Sequence, residues 1–245
     1  MRIGIISDIH SNVVALERAL EAMGTVDALW CLGDVVGYGP NPNECVALLL
    51  AQPSLQICLT GNHDAAALER VSWKGFNAHA RRAIQWTHDQ LNRHSLDFLS
   101  ERPDKLQPDG DFTLAHASPR DPVWEYITSP AIARANFEHF NTPLCLVGHS
   151  HVPAIYTRRE DGRVNGQTAA PGLPLVVADK DRRIINPGSV GQPRDGDPRA
   201  AFAIWDSDQR RFDFHRVAYD VAATQRRIIA AGLPSSLAAR LGFGR

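Results

Sequence analysis

The sequence lacks an excess of charge of either sign, because 26 Lys and Arg residues are balanced by 27 Asp and Glu residues, giving a formal net charge of −1. Such a chain has no general positive field to steer it to nucleic acid or to anionic lipid. Long apolar runs are also missing, and none would span a bilayer. We therefore expect neither a nucleic-acid binder nor a membrane protein.

Cysteine is scarce, and no CxxC pair occurs among the four residues Cys31, Cys45, Cys58 and Cys145. Three of them lie in apolar, strand-like runs, which is typical of buried free thiols in a reducing compartment. The apolar run that follows Met1 and Arg2 is too short for a secretory signal and reaches a carboxylate instead. These absences predict a cytoplasmic protein.

The first part of the chain repeats an order of apolar strand, polar loop and helix. Strands are predicted over 2–7, 28–32 and 55–60, and helices over 13–23 and 44–51. This order is typical of an α/β layer. The length of 245 residues suits one large α/β domain, so we predict a single domain over residues 1–245.

Residues 65–102 have no strand pattern. They are expected to form a helical layer, with helices over 78–91 and 95–99, part of which lies over a substrate pocket. The Gly- and Pro-containing stretch 161–173 is expected to be a flexible excursion. Strands dominate the remaining chain, at 111–115, 144–147, 154–157, 175–177, 183–185, 201–205 and 212–217. Further helices are predicted over 130–140, 221–231 and 235–241.

Five polar clusters each follow an apolar strand. They are Asp8-Ile9-His10, Gly33-Asp34, Gly61-Asn62-His63-Asp64, His116 and Gly148-His149-Ser150-His151. Each cluster alone would pass for a helix cap, a turn or a surface histidine. Ligands of open α/β sheets bind outside the carboxyl ends of the strands, where all five clusters would meet. The sequence therefore predicts one shared site.

The chemistry of these clusters favours a metal centre. Carboxylate and imidazole groups suit borderline divalent ions such as Mn, Fe, Co, Ni or Zn, and the absence of Cys disfavours a structural zinc site. Asp34 can bridge two ions. In two-metal hydrolases the ions lie roughly 3.5–4 Å apart and lower the pKa of a bound water, which then serves as the nucleophile. No Ser or Cys nucleophile is then required.

In this order, DxH, GD, GNHD, H and GHSH resemble the motifs of the calcineurin-like metallophosphoesterases, over essentially the whole chain. The resemblance implies a four-layer α/β/β/α sandwich of two mixed sheets with flanking helices, a dinuclear centre and a metal-bridging hydroxide. Manganese is the metal expected in vitro. The implied ligands are Asp8, His10 and His151 for one ion and Asn62, His116 and His149 for the other, with Asp34 as the bridge.

The same resemblance assigns two further roles. It implies that His63 stabilises or protonates the leaving oxygen, a task that suits an imidazole, whose pKa lies near neutrality. It also implies that Asp64 orients His63.

The second motif departs from that of the protein Ser/Thr phosphatases, which carry GDxxDRG. Gly37 and Tyr38 stand where those enzymes have the acidic residue and the phosphate-gripping Arg. The GDxxGYGPxP variant and the stretch 186–194 instead resemble a bacterial and archaeal subgroup of small predicted phosphodiesterases. Within that stretch Arg194 is a candidate for phosphate contact, because Arg can bind phosphate through two hydrogen bonds. Asn12 is a second substrate-binding candidate, although it also suits the cap of the first helix.

We therefore expect a metal-dependent hydrolase of small phosphodiesters or nucleotides. The alternatives are a protein Ser/Thr phosphatase, a dinucleoside polyphosphate phosphatase, and, in another class, a non-catalytic metal-binding scaffold. A nuclease acting on long nucleic acid is disfavoured by the charge balance. The oligomeric state is left open. The remaining histidines are expected to be surface or packing residues, namely His79, His88, His94, His139 and His215.

Overall fold

The computed structural model describes residues 1–177 and 180–245, which fold into strands and α-helices in a mixed order. The strands are β1 Arg2–Ile6, β2 Ala28–Cys31, β3 Leu55–Cys58, β4 Lys105–Leu106, β5 Phe112–Ala115, β6 Leu144–Leu146, β7 Ala154–Arg158, β8 Val164–Thr168, β9 Leu175–Val176, β10 Arg182–Asn186, β11 Ala200–Asp206 and β12 Arg211–Val217. The helices are α1 Val13–Met23, α2 Pro42–Leu50, α3 Asn62–Ala67, α4 Ala78–Gln90, α5 Arg93–Ser100, α6 Pro130–Asn136, α7 Val221–Ala230 and α8 Ser235–Leu241.

The strands form two mixed sheets of six. The first has the order β3-β2-β1-β11-β12-β9, and the second has the order β4-β5-β6-β10-β7-β8. Strands β1, β2 and β3 run parallel, as do β5, β6 and β10, while the remaining pairs are antiparallel. Each sheet therefore contains a parallel block whose carboxyl ends share one edge.

The two sheets pack face to face over an apolar core. Alternation along β1 shows how the layers are built, because Ile3 and Ile5 point into the core between the sheets and Ile6 points to the opposite face. On that opposite face the first sheet is covered by α1, α2 and α5, and the outer face of the second sheet is covered by α6. The predicted four-layer α/β/β/α sandwich is confirmed.

A further apolar cluster lies beside the sandwich. The C-terminal helices α7 and α8 pack against α4 and the loop that carries Tyr38, through Ile84, Ile228 and Leu241. The last part of the chain is thereby brought next to the loops at the carboxyl edge of the first sheet.

The structure differs from the sequence prediction at several elements. Residues 161–173 were expected to be a flexible excursion, yet they contain β8, which pairs antiparallel with β7. That strand is mostly exposed, so it lacks the apolar pattern by which strands are recognised. Asn62 and His63 begin a short helix that was not predicted, and α6 ends at Asn136, earlier than predicted.

No helix in the described residues is long and apolar enough to cross a membrane.

The core between the sheets depends on Phe112. Its ring is buried and makes edge contacts with Trp30, Trp205 and Phe212 at centroid distances of 5.2, 5.7 and 6.5 Å. We expect Phe112→Ala to lower the free energy of unfolding by about 3–5 kcal/mol, measured by urea denaturation. Phe243→Ala is the matched control, because Phe243 is 68% exposed, and it should change stability little. Equal effects of the two substitutions would contradict this account of the core.

Candidate metal centre

Loops from both sheets deliver the predicted side chains to one place. Asp8 and His10 follow β1, Asp34 follows β2 and Asn62 follows β3, all in the first sheet. The second sheet contributes the other three predicted ligands, His116 after β5 and His149 and His151 after β6. All seven are buried. Because the carboxyl ends of both parallel blocks meet here, five separate stretches of sequence form one cluster.

One group of donors consists of Asp8, His10, Asp34 and His151, with one ligand atom of each lying within 4.8 Å of the others. The Nε2 atoms of His10 and His151 are 3.1 Å apart. His151 Nε2 lies 3.4 Å from Asp8 Oδ1, and His10 Nε2 lies 3.5 Å from Asp34 Oδ2. This spacing is compatible with four donors around one cation.

A second group combines Asp34 with His116 and His149 within the same limit. His116 Nε2 is 3.5 Å from Asp34 Oδ2 and 3.3 Å from the amide oxygen of Asn62. Asn62 therefore lies within reach of the same centre. The two groups share a single residue, Asp34.

The two carboxylate oxygens of Asp34 have different surroundings. Oδ1 accepts a hydrogen bond from the backbone N–H of His63 at 2.8 Å. Oδ2 is buried and has no hydrogen-bond partner among the described residues, although it lies 3.5 Å from both His10 Nε2 and His116 Nε2. A buried carboxylate oxygen without a donor is costly unless a cation compensates it. The donor set therefore fits divalent cations on both sides of Asp34.

Backbone carbonyls orient the four imidazoles. The Nδ1 atoms of His10, His116 and His151 lie 3.3, 2.8 and 2.6 Å from the carbonyl oxygens of residues 36, 32 and 192. His149 uses its Nε2 instead, 3.2 Å from the carbonyl oxygen of Trp124. An N–H donated to a carbonyl fixes the tautomer and leaves the other ring nitrogen as a lone-pair donor, as is usual for metal-binding histidines.

Burial sets most of the proton affinities at the centre. It lowers the pKa values of His10 and His151 well below their ordinary value and that of His149 to about 3, so these rings are neutral. Burial also raises the pKa of Asp8 to about 7.

Asp34 and His116 have pKa values that move against the effect of burial. Burial favours the neutral form of Asp34, but the charges of His116, His63 and His10 together outweigh it and hold the pKa of that carboxyl well below its usual range. Burial likewise opposes a charge on His116, but Asp34, with smaller effects of Asp8 and the Leu32 carbonyl, raises the pKa of His116 to about 10. The protein without metal thus keeps a proton on His116, at a place where a cation would compete with it.

The backbone of the centre is strained. Asp8, His10, Asp34, His149 and His151 have φ between 49° and 63°, a left-handed conformation that is uncommon for residues other than glycine. Such residues cluster at functional sites, where the surrounding structure holds them in place. Here the loops are tied to one another by backbone hydrogen bonds, such as Asp8 N–H to the carbonyl of Gly33 at 3.0 Å and His10 N–H to the carbonyl of Asp34 at 2.9 Å.

Two glycines permit the loops to approach. A Cβ at Gly61 would lie 2.0 Å from Asp34 Oδ1, and a Cβ at Gly37 would lie 2.7 Å from the Nδ1 of His63. Gly37 also has φ of 94°. Any side chain at these positions would displace Asp34 or His63.

His63 lies at the edge of the cluster. Its ring contacts Tyr38 and His10 with centroid distances of 4.2 and 4.9 Å, and its Nδ1 has no hydrogen-bond partner among the described residues. Burial, assisted by Arg194, lowers its pKa to about 4 despite the opposing charge of Asp34.

The carboxylate of Asp64 contacts backbone groups in this structure. It accepts hydrogen bonds from the backbone N–H groups of Val35, Val36 and Gly61 at 3.2, 2.9 and 2.9 Å, and the described residues include no hydrogen bond between Asp64 and the His63 ring. Asp64 therefore holds the second and third loops together, and it fixes His63 only through the backbone.

Asn12 is a helix cap, as one of its two predicted roles required. Its Oδ1 accepts from Ala15 N–H at 3.2 Å and from the Thr224 hydroxyl at 2.9 Å. Its Nδ2 donates to the carbonyl of Gly191 and to the hydroxyl of Tyr219. Both amide hydrogens are therefore used within the protein, which favours the helix-cap role of Asn12 over substrate binding.

Arg194 lies beside the centre. Its guanidinium is 5.7 Å from the centroid of Tyr38 and donates to the side chain of Gln192 at 2.9 Å. Its Nε has no partner among the described residues.

Aromatic and cationic side chains that no sequence motif predicted lie around the candidate metal centre. Tyr126 packs on the His149 ring at 3.9 Å between centroids, Trp124 contacts Phe76, and Arg240 lies 5.9 Å from the centroid of Tyr38. Trp124 and Tyr126 lie in the loop that follows β5, shortly after His116, whereas Arg240 lies in the short helix α8, far from the five clusters in sequence. No local pattern marks them, although the aromatic pair within Trp124-Glu125-Tyr126 directly after the His116 loop was a usable signal.

Comparison with known proteins gives consistent relatives. The sequence profile of the calcineurin-like phosphoesterase superfamily domain matches residues 1–210. A crystal structure of a metallophosphoesterase from Sphaerobacter thermophilus is 50% identical in sequence, covers 100% of this chain and 99% of its own, and has a TM-score of 0.89.

Two curated proteins are also similar. An uncharacterized protein from Methanocaldococcus jannaschii is 36% identical over 99% of this chain and 98% of its own length. A symmetrical bis(5′-nucleosyl)-tetraphosphatase from Methylobacillus flagellatus is 29% identical over 116 residues, which is 47% of this chain and 41% of that protein.

The close approach at Gly37 can be tested against a glycine of similar conformation. Gly162 also has positive φ, 79°, but no atom lies within 4 Å of its missing Cβ. We expect Gly37→Ala to destabilise the protein by about 1–3 kcal/mol more than Gly162→Ala, because it adds a clash with His63 to the strain that both share. Urea denaturation of the two variants measures the difference. Equal destabilisation of the two variants would show that the His63 ring can move away from the added methyl group without lowering the free energy of unfolding.

Proposed function

Because the chain belongs to the calcineurin-like phosphoesterase superfamily, we propose that it is a dinuclear metal-dependent hydrolase of small phosphodiesters or nucleotides, with residues 1–245 acting as one domain. The observation that carries the proposal is the buried Oδ2 of Asp34, which lies 3.5 Å from His10 Nε2 in one donor group and 3.5 Å from His116 Nε2 in the other. A single carboxylate shared by two donor groups is the arrangement that a pair of adjacent ions requires.

The two ions are assigned by the two donor groups. Asp8, His10 and His151 would hold one, His116, His149 and Asn62 would hold the other, and Asp34 would bridge. Manganese, iron, cobalt, nickel and zinc all suit this mixture of imidazole, amide and carboxylate donors, and manganese is the first choice for reconstitution.

When bound, such a pair of ions supplies a water-derived nucleophile and neutralises charge on the phosphate. The protein's part is to hold the donors rigid, which the strained loops and their backbone hydrogen bonds accomplish.

His63 is the proposed group for the leaving oxygen. Its ring is buried and held between Tyr38 and Phe76, and its backbone N–H is fixed by Asp34. The Nδ1 atom has no partner within the described residues and can hold or donate a proton. Arg194 is the proposed contact to the scissile phosphate, because its guanidinium lies 5.7 Å from the centroid of Tyr38 beside the centre, and its buried Nε–H has no partner among the described residues.

A dinucleoside polyphosphate hydrolase is the second candidate. The similarity to the Methylobacillus flagellatus tetraphosphatase, over 47% of this chain, supports it. Protein Ser/Thr phosphatase activity is disfavoured by Gly37 and Tyr38, which replace the acidic residue and the Arg of those enzymes. Rates on a diester, a monoester, a dinucleoside polyphosphate and a phosphopeptide would rank these possibilities.

A non-catalytic scaffold would be expected to lack a ligand or the leaving-group histidine. All seven ligand candidates and His63 are present here. If the protein purified with Mn²⁺ held metal but hydrolysed none of the phosphate esters offered, the metal-binding scaffold would replace the enzyme.

The role of Asp34 as a bridge predicts a change in metal content. Asp34→Asn should lose at least one of the two ions and about 100-fold or more in the hydrolysis of bis(p-nitrophenyl) phosphate, because a neutral amide compensates two cations poorly. Elemental analysis and initial rates measure the two effects. Asp208→Asn, at an exposed site, is the control. Two ions retained by Asp34→Asn would contradict a bridging role.

The role of His63 predicts a loss of activity without a loss of metal. His63→Asn should keep its metal content and lose about 10²–10⁴-fold in kcat, because only proton transfer to the leaving oxygen is removed. Elemental analysis and steady-state kinetics with Mn²⁺ test this. His139→Asn is the matched surface control and should behave as wild type. Wild-type turnover by His63→Asn would refute the assignment.

A further inference from the structure

A second cation, Arg240 in the C-terminal helix α8, lies close to the metal centre. Its guanidinium carbon is 5.9 Å from the centroid of Tyr38, and that of Arg194 is 5.7 Å from the same centroid. Tyr38 in turn contacts His63 and His10 at 4.2 and 4.8 Å between centroids. One tyrosine ring therefore links both arginines to the candidate centre.

Neither guanidinium is neutralised by an acidic side chain. Among residues 1–177 and 180–245, Arg194 and Arg240 form no ion pair with Asp or Glu. Arg194 donates to Gln192, and the Nε of Arg240 donates to the main-chain oxygen of Arg245. Burial, followed by the charge of Arg194, lowers the pKa of Arg240, as expected of partly buried like charges. Keeping two such cations together is unfavourable unless an anion joins them.

A cavity of about 310 Å³ is lined in part by Tyr38. Its walls also include Arg240, Ser236, His79 and Asn77, and no acidic residue from the described part of the chain. Asn77 caps α4, a helix of 13 residues, so the positive end of that helix also faces this region. A cavity with a guanidinium, a hydroxyl, an imidazole and an amide in its wall is suited to a phosphate group.

We propose that Arg240 and this cavity form a second anion subsite, which selects substrates with a further phosphate group beyond the one that is cleaved. In this arrangement, which rests on the proposed phosphoesterase function, Arg194 contacts the phosphate at the metal centre. Arg240 contacts the next one across the Tyr38 ring. The substrate class is then a nucleoside polyphosphate or a similar compound with two or more phosphates, rather than an isolated monoester or diester.

The test compares tripolyphosphate with inorganic phosphate as competitive inhibitors of bis(p-nitrophenyl) phosphate hydrolysis by the Mn²⁺-loaded protein. Arg240→Gln should raise the inhibition constant of tripolyphosphate about tenfold more than that of phosphate, because one charged hydrogen-bonding contact is lost for the longer anion only. Arg194→Gln should raise both constants. Arg226 is an exposed residue of α7, and Arg226→Gln is the control variant, which should match wild type. Inhibition that comes only from chelation of the metal by tripolyphosphate would be the same in this variant as in Arg240→Gln.

Other outcomes overturn the subsite. If Arg240→Gln changes both constants equally, or neither, Arg240 only anchors the C-terminal segment. Circular dichroism checks that this variant is folded. If Arg240→Gln does not fold, Arg240→Lys is used instead, because it keeps the charge but not the planar guanidinium. Arg240→Lys should lose part of the selectivity for tripolyphosphate over phosphate. Unchanged selectivity in this variant would contradict the subsite.

Calorimetric titration of the metal-loaded variants with tripolyphosphate measures the same difference without turnover. Absence of any ester hydrolysis by the wild type would refute the proposed function. An unchanged calorimetric affinity in Arg240→Gln would refute the subsite alone.

Discussion

The arrangement of the whole centre depends on the carboxylate of Asp34. One oxygen is fixed by the backbone N–H of His63, so the other has a single direction available, between His10 and His116. That geometry requires the loop after β3 to touch the loop after β2, and Gly61 makes this contact possible because a Cβ there would collide with Asp34. Asp64 stabilises the same contact, because its carboxylate accepts hydrogen bonds from three backbone N–H groups of the two loops.

Much of the fold could be predicted because each buried parallel strand is an apolar run in the sequence, followed by polar residues. The strands before Asp8, Asp34 and His116 are of this kind, and the topology of such strands places their carboxyl ends together. The exposed strand β8 and the two-residue strand β4 could not be predicted, because their pairing is set by neighbouring strands rather than by their own sequences.

The candidate site shows a similar division. The seven donors were found from motifs, and the structure brings them together. Arg240 was not found, because its position beside Tyr38 depends on how α8 packs against α4, and short amphipathic helices do not reveal their packing partners. Asn12 and Asp64 show a different limit. A motif can place a residue near a site, but only the hydrogen bonds reveal that Asn12 has no amide hydrogen to spare and that Asp64 faces backbone rather than the His63 ring.

The donors of each proposed ion come from both halves of the sandwich. His10 and Asp34 extend from the first sheet and His151 from the second, and the other group likewise joins Asn62 to His116. Bound cations would therefore act as further cross-links between two layers that are already joined by apolar packing and by hydrogen bonds between their loops. A ligand that binds the native state alone stabilises it by mass action. The resistance of this protein to unfolding and proteolysis would thus follow the metal supply of its surroundings, so that metal starvation would shorten its lifetime as well as stop its chemistry.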